Sequence, residues 1–146
     1  MTIDEAIMEI ATSETFDDFD YVYDDWWDAD QSIGRLKRLP AIIHILPIGG
    51  TMEVRNGRVY DHEQVAVAFV DKVPRDASGY DQRMVFERMK EAALAFLAAI
   101  NESDTLQRVT VVSYGIIYNQ LASIVTGVTL TMELEDNGQC LSTQLQ

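Results

Sequence analysis

The sequence predicts an α+β fold, an antiparallel sheet covered on one face by helices, with a projecting β-hairpin. Strand-like segments occur in adjacent pairs, and one long amphipathic helix pattern at residues 80–100 separates these pairs. The chain has 146 residues, of which 47% are hydrophobic and 24% are charged. This length and balance are typical of one globular domain, long enough to bury a core.

A short amphipathic helix is predicted at residues 2–12. Thr2 and Glu5 have the spacing of a capping box, and Ile3, Ile7 and Ile10 fall on one helical face. The pattern therefore indicates where this helix begins and which side it buries.

The next segment, FDDFDYVYDDWWDAD at residues 16–30, combines seven aspartates with six aromatic residues and contains no base. Its alternation predicts an extended segment with an aromatic face. Tryptophan and tyrosine anchor many protein contacts, and complementary charge steers them. We therefore predict an interface that includes Trp26, Trp27, Tyr21 and Tyr23. The alternative is that both tryptophans cap the protein's own sheet.

Several strands follow. An apolar run bounded by prolines at residues 39–47 predicts a buried strand. Residues 51–55 and 58–60 flank Asn56-Gly57, the strongest short signal for a type I′ turn, so a hairpin is expected to project there. Further strands are predicted at residues 64–70, 107–114 and 124–135. Gly127 marks a bulge or the close approach of another backbone.

The net charge of −13 is concentrated near the N-terminus, since residues 1–30 hold eleven acids and no base. A strongly acidic protein is repelled by phosphate backbones, so specific nucleic-acid binding is not expected. The short basic cluster with Arg35, Lys37 and Arg38 is interpreted as a positively charged loop that offsets the charge of the aspartates beside it. Arg35 and Arg38 are included in the predicted interface.

The longest apolar run, residues 92–100, is too short to span a membrane. The lone Cys140 fits a reducing compartment.

No catalytic residue, cofactor or metal site is predicted. His44 lies in an apolar strand and is expected to be a core residue, and His62 is expected to be solvated in a charged loop. Motifs for a nucleophile, a phosphate-binding glycine loop or a zinc site are missing from the sequence. Asp28, Asp30 and Ser32 start an EF-hand-like pattern, which then fails because position six is Ile33 and position twelve is Leu39. The aspartates are interpreted as a solvated acidic surface, and the alternative is a less regular cation site.

The order of elements, with "RLPAIIHILPIGG", "EVRNGRVYD", "VFERMKEAALAFLAAI" and "YGIIYNQLASIVTGVTLTMEL", resembles the tail terminator or tail completion (head-tail joining) proteins of tailed bacteriophages. The likeness covers residues 36–135 and is closest at Tyr118, Asn119, Gly127, Val128 and Leu130. The acidic, aromatic arm at residues 16–30 has no counterpart in that pattern. In this family a helix-covered antiparallel sheet assembles into a ring, commonly a hexamer, that caps the tail tube and joins it to the head.

The resemblance implies a non-enzymatic virion protein of the tail or neck, assembled in the host cytoplasm. Its expected partners are further copies of itself and the neighbouring tail-tube and connector proteins. In this hypothesis residues 1–35 form a helix and arm, residues 36–136 form the body, and residues 137–146 form a flexible tail. The hairpin at Asn56 and Gly57 is expected to face a neighbouring ring or the tube. The alternative is an acidic DNA mimic that inhibits a host nucleic-acid-binding enzyme, but clustered acids favour an arm over a mimic.

Overall fold

The described part of the chain forms two α-helices and one sheet. The computed structural model describes residues 2–25, 39–74, 76–120, 125–136, 139 and 140. Its elements are α1 (Ile3–Ala11), a 3-10 turn (Glu14–Phe16), β1 (Asp20–Asp24), β2 (Ala41–Ile45), β3 (Gly50–Arg55), β4 (Arg58–Lys72), α2 (Gly79–Glu102), β5 (Ser113–Gln120), β6 (Val125–Glu135) and β7 (Gln139–Cys140). The predicted α+β fold is confirmed.

The seven strands of the described residues belong to one sheet, with the order β1-β2-β4-β6-β5, and with β3 and β7 also paired to β4. One pair departs from the prediction of an antiparallel sheet, because β1 runs parallel to β2 whereas the other pairs are antiparallel. Residues 25–40 separate these two strands. This connection is longer than the roughly dozen residues that are needed to join two parallel strands. Because one of its pairs is parallel, the sheet is mixed.

The long strand β4 is the centre of the sheet. Residues 58–60 and 64–70, predicted as two strands, lie on this single strand of 15 residues. One edge of β4 pairs with β2 and then with β3, and the other edge pairs with β6 and then with β7. Between β2 and β3, residues 46–49 lie opposite only residues 64 and 65, which makes a bulge.

The predicted turn at Asn56-Gly57 joins β3 to β4. Both residues have positive φ angles, 52° and 77°, as a type I′ turn requires. The β4 arm of this hairpin also pairs on its other edge with the end of β6 and with β7. The hairpin is therefore part of the sheet, and its projection from the body is not confirmed.

Both helices pack on the same face of the sheet. Thr2 caps α1 by accepting the Glu5 N–H at 3.1 Å, as predicted, and Ser78 and Asp81 form a capping box on α2. The main core lies between the helices and the strands and includes Ile7, Phe69 and Phe96, all fully buried. A smaller apolar cluster on the opposite face contains no helical residue. The predicted covering of one face by helices is confirmed.

The acidic, aromatic segment begins inside this core. Phe16 is buried and packs on Phe69 and Phe96, with ring centroids 6.4 and 6.2 Å apart. Phe19 packs on Phe16 at 5.9 Å. These contacts join the first residues of the segment to the body, and β1 then continues the segment into the sheet.

The strand predicted at residues 107–114 lies later in the chain than expected, because β5 begins only at Ser113 and runs to Gln120. The side chain of Asn101, at the end of α2, accepts the Val109 N–H at 2.8 Å and donates to the Val109 carbonyl at 3.2 Å. These two bonds use the backbone groups of Val109 that a strand partner would need. Residues 107–112 therefore precede β5 and do not belong to it, and Val109 among them is bound to the end of α2.

The predicted close approach at Gly127 is confirmed. A Cβ atom at this position would collide with the carbonyl of Phe69 and lie 2.9 Å from the Cα atom of Val70.

No helix within the described ranges is both long enough and apolar enough to cross a membrane.

Candidate functional site

Four of the eight predicted interface residues lie within the described part of the chain, and they belong to two different elements of the sheet. Tyr21 and Tyr23 lie on β1, and Asn56 and Gly57 form the turn between β3 and β4. The remaining four, which are Trp26, Trp27, Arg35 and Arg38, lie outside the described residues. Their role in an interface stays a prediction.

One exposed apolar surface lies along β3. We name it the hairpin surface and define it by Ile48, Met52 and Val54. Ile48 is 92% exposed and Met52 is 74% exposed. An open cavity of about 410 Å³ adjoins them and is lined on its polar side by Asp61 and Glu63. Contiguous apolar exposure beside charged groups is typical of a protein contact.

A second exposed apolar surface lies between α2 and β5. We name it the groove surface and define it by Lys90, Leu94, Tyr114 and Ile116. Leu94 is 57% exposed and Tyr114 is 54% exposed. The Lys90 ammonium lies 5.0 Å from the centre of the Tyr114 ring, within range of a cation–π contact. A groove of about 180 Å³ opens between the helix and the strand and is lined almost entirely by apolar atoms.

Both surfaces include the edge of a strand. In the part of the chain that the structure describes, β3 pairs only with β4, and β5 pairs only with β6. The outer edge of each strand therefore presents backbone N–H and C=O groups that another strand can bind. Since β3 lies beside β4 and β5 lies beyond β6, the two free edges are on opposite sides of the sheet.

A polar cluster lies beneath α1 on the helix-covered face. His44 is fully buried in β2 and its Nδ1 atom lies 2.8 Å from the hydroxyl of Tyr21. The ring of Tyr23 stacks on the imidazole at 4.4 Å. On the other side, Nε2 of His44 lies 3.4 Å from Oδ1 of Asp4, the second residue of α1. The cluster thus joins α1, β1 and β2.

The protons of this cluster can be assigned from its pKa values. Burial, together with the charges of Tyr23 and Asp4, raises the pKa of Tyr21, so that its hydroxyl keeps its proton. Burial lowers the pKa of His44 to about 4, against an opposing contribution from Asp4, so that the imidazole is neutral at pH 7. Tyr21 therefore donates to Nδ1, and the ring proton lies on Nε2, facing Asp4.

Two carboxyl groups on β4 extend the cluster toward the hairpin surface. Burial, together with the neighbouring side chain of Asp4, raises the pKa of Glu63 to about 8. Burial, with the neighbouring charge of Asp136, also raises the pKa of Asp61. Glu63 is thus mostly protonated at pH 7, and it can donate to Asp4. The cluster thus places the donor groups of His44 and Glu63 beside the side chain of Asp4.

The predicted burial of His44 is confirmed. An imidazole that is fully buried and neutral is out of reach of a solute in bulk water, so the geometry favours a role in holding α1 and β1 on the sheet. Oδ1 of Asp4, Nε2 of His44 and Oε1 of Glu63 are buried and make no well-aligned hydrogen bond among the described residues. Such groups are costly to bury, which makes the cluster sensitive to substitution.

His62 is not in a solvated loop, and that expectation is wrong. It lies within β4, because the strand runs unbroken through this position, and its side chain is only 18% exposed. Its ring nitrogens lie 3.3 Å from Glu53 and 3.1 Å from Glu133. Arg55 bridges Glu53 and Glu135 at 3.0 and 3.1 Å, which balances part of the negative charge of these carboxyl groups.

Within the described ranges, no group of three or more metal-binding side chains is arranged to hold an ion.

Sequence reasoning missed both exposed surfaces and the partners of His44. Asp4 and Glu63 lie far from His44 in sequence, and only the pairing of β1 with β2 brings Tyr21 to the imidazole. One available signal was Ile48, an apolar residue placed between Pro47 and two glycines, residue types that disfavour the interior of a strand. The sequence matches no protein-family model, and no curated protein matches it.

Proposed function

We propose that this chain is a ring-forming structural protein of a tailed phage or prophage, a tail terminator or head–tail completion subunit. The observation that carries the proposal is that β3 and β5 have free edges on opposite sides of the sheet, each bordered by exposed apolar side chains. The resemblance of residues 36–135 to that family supports the same reading. Its partners in the virion are other copies of the chain and the adjoining tail-tube and connector proteins.

Two different surfaces on opposite edges favour assembly from head to tail. When one surface of a protomer binds the other surface of the next, each added copy exposes the same free edge again. Such a chain closes into a ring if the rotation between neighbours is a whole fraction of a turn, and it otherwise grows as a filament. We propose closure at six subunits, because hexamers are common in the family that the chain resembles.

The charge of the chain suits a ring around a DNA passage. With a net charge of −13, the assembled ring repels the phosphate backbone, so that DNA passes without adsorbing. Eleven of the 24 acids lie in residues 1–30, and the proposal places the exposed ones on the surface of the assembly. The arm at Trp26 and Trp27 then packs on an adjacent subunit and adds to the contact made by the sheet.

Light scattering over a series of protein concentrations, combined with negative-stain microscopy, tests the proposal. We expect a discrete oligomeric mass at high concentration and closed rings of one diameter. A protein that stays monomeric up to millimolar concentration, both alone and with tail-tube protein added, would contradict the proposal. Open filaments of variable length would show head-to-tail assembly without a ring.

A further inference from the structure

We propose that the hairpin surface of one copy binds the groove surface of the next copy, with β3 pairing along the free edge of β5. The inference rests on the proposed function, because it names the contact that joins neighbouring subunits. Its occupant is a second copy of this chain, and three features of the two surfaces support that choice.

The first feature is the match between faces. Met52 and Val54 lie opposite Asp61 and Val59, on the same face of β4 as Val65, which packs under the helices. Tyr114 and Ile116 lie opposite Leu130 and Val128, also core residues on the helix side. If β3 extends the neighbouring sheet at β5, the two pairs of exposed apolar side chains therefore meet on one continuous face.

The second feature is the size of the groove. Its volume of about 180 Å³ is close to the ~150 Å³ of an apolar cavity that takes up a benzene ring. It can therefore accept one large apolar side chain. The hairpin surface offers two such side chains without a partner of their own, Met52 and the almost fully exposed Ile48. Burial of either in the groove removes apolar area from water on both copies.

The third feature is charge. Lys90 borders the groove and forms no ion pair within the described part of the chain; its neighbours are the rings of Phe86 and Tyr114. The hairpin surface carries the carboxyl groups of Asp61 and Glu63 beside the apolar residues. A lysine that approaches from another copy would stabilise a charged carboxylate at this position. This effect favours the approach of Lys90 on one copy to Asp61 and Glu63 on the next, and it helps to fix which surface meets which.

Cysteine cross-linking between copies tests the contact. Two single-cysteine variants are made in a Cys140→Ser background, one with Met52→Cys and one with Tyr114→Cys. We expect a disulfide-linked species of twice the chain mass when the two variants are mixed and oxidised, and much less of it from either variant alone. A control pair, Met8→Cys with Tyr114→Cys, uses an exposed methionine on α1 and is expected to give no excess of cross-linked species in the mixture.

Substitutions at the two surfaces provide an independent measurement. Met52→Ser and Leu94→Ser should each weaken self-association by about tenfold or more, as truncation of a central apolar anchor does, while Met8→Ser leaves it unchanged. Because all three side chains are exposed in the monomer, their circular dichroism should match that of the parent protein.

The two proposals fail in different ways. If the parent protein forms oligomers but the mixed variants do not cross-link and Met52→Ser assembles normally, this contact is wrong while the ring remains. If the parent protein is monomeric under all conditions, both the ring and this contact are wrong.

Discussion

The hydroxyl of Tyr21 lies 2.8 Å from Nδ1 of His44, and this contact joins the edge strand β1 to a fully buried imidazole in β2. The strand register places Tyr23 directly opposite His44, where its ring stacks on the imidazole. The acidic, aromatic segment is therefore anchored in the sheet through its β1 residues. Any docking role of Trp26 and Trp27 begins two residues after this anchor.

Substitution of Tyr21 by Phe should destabilise the fold. The change removes the donor to Nδ1 and leaves a buried acceptor without a partner, which typically costs about 1–3 kcal/mol. Urea denaturation followed by circular dichroism measures the difference. Tyr80→Phe is the matched control, because Tyr80 is 70% exposed on α2 and the same change should have almost no effect there. Equal stability of the two variants would show that the bond to His44 contributes nothing.

The free energy of unfolding should fall as the pH rises from 6.5 to 8. The pKa of Glu63 is raised from an ordinary 4.5 to about 8, so the folded state keeps a proton that the unfolded state releases, and rising pH favours unfolding. His44 acts in the opposite direction, because its pKa is lowered from 6.5 to about 4 and its contribution is lost as the pH falls through that interval.

Urea denaturation at a series of pH values checks both signs. Glu63→Gln should flatten the slope between pH 6.5 and 8, whereas Glu91→Gln, at an exposed position on α2, should leave it unchanged. Between pH 6.5 and 4.5 the contributions of Glu63 and His44 oppose each other, so His44→Gln should make stability increase more steeply than in the parent protein as the pH falls through this interval. A Glu63→Gln variant that keeps the full slope above pH 6.5 would show that the carboxyl group does not hold a proton there.

Gly127→Ala should be strongly destabilising, by about 1–3 kcal/mol or more. The added methyl group would collide with the backbone of Phe69 in the central strand, and backbone atoms cannot move aside as the end of a side chain can. Gly115→Ala is the control on the neighbouring strand, since its methyl group would meet no atom within 4 Å. Thermal unfolding of the two variants should separate them clearly, and similar melting temperatures would mean that β4 and β6 are less closely paired than the structure shows.

Substitution of both Trp26 and Trp27 by Ala should lower the oligomeric mass without unfolding the body. A desolvated tryptophan anchor typically costs ~2 kcal/mol or more when it is truncated. Light scattering measures the mass, and circular dichroism checks the fold. The docking hypothesis fails if the double variant keeps its full oligomeric mass, and it also fails if the variant loses its fold, because the tryptophans would then belong to the core.

Much of the fold follows from local sequence. The cap at Thr2, the positive φ angles at Asn56 and Gly57, and the apolar stripe of α2 depend on residues a few positions apart, and each was predicted. The alternation in residues 124–135 likewise predicted β6 to within one residue. Short-range patterns identify these elements because capping, turn geometry and the side-chain periods are properties of neighbouring residues.

The tertiary structure alone decided which distant segments meet. It set the parallel pairing of β1 with β2 and the continuity of β4, and it brought together Asp4, Tyr21, His44 and Glu63. Each of these features depends on backbone hydrogen bonds between strands that are far apart in the sequence. The same is true of the hairpin and groove surfaces, since an apolar residue is exposed only where no other element covers it. Local periodicity carries no information about such partners, because register and edge pairing are set by the burial of the whole sheet.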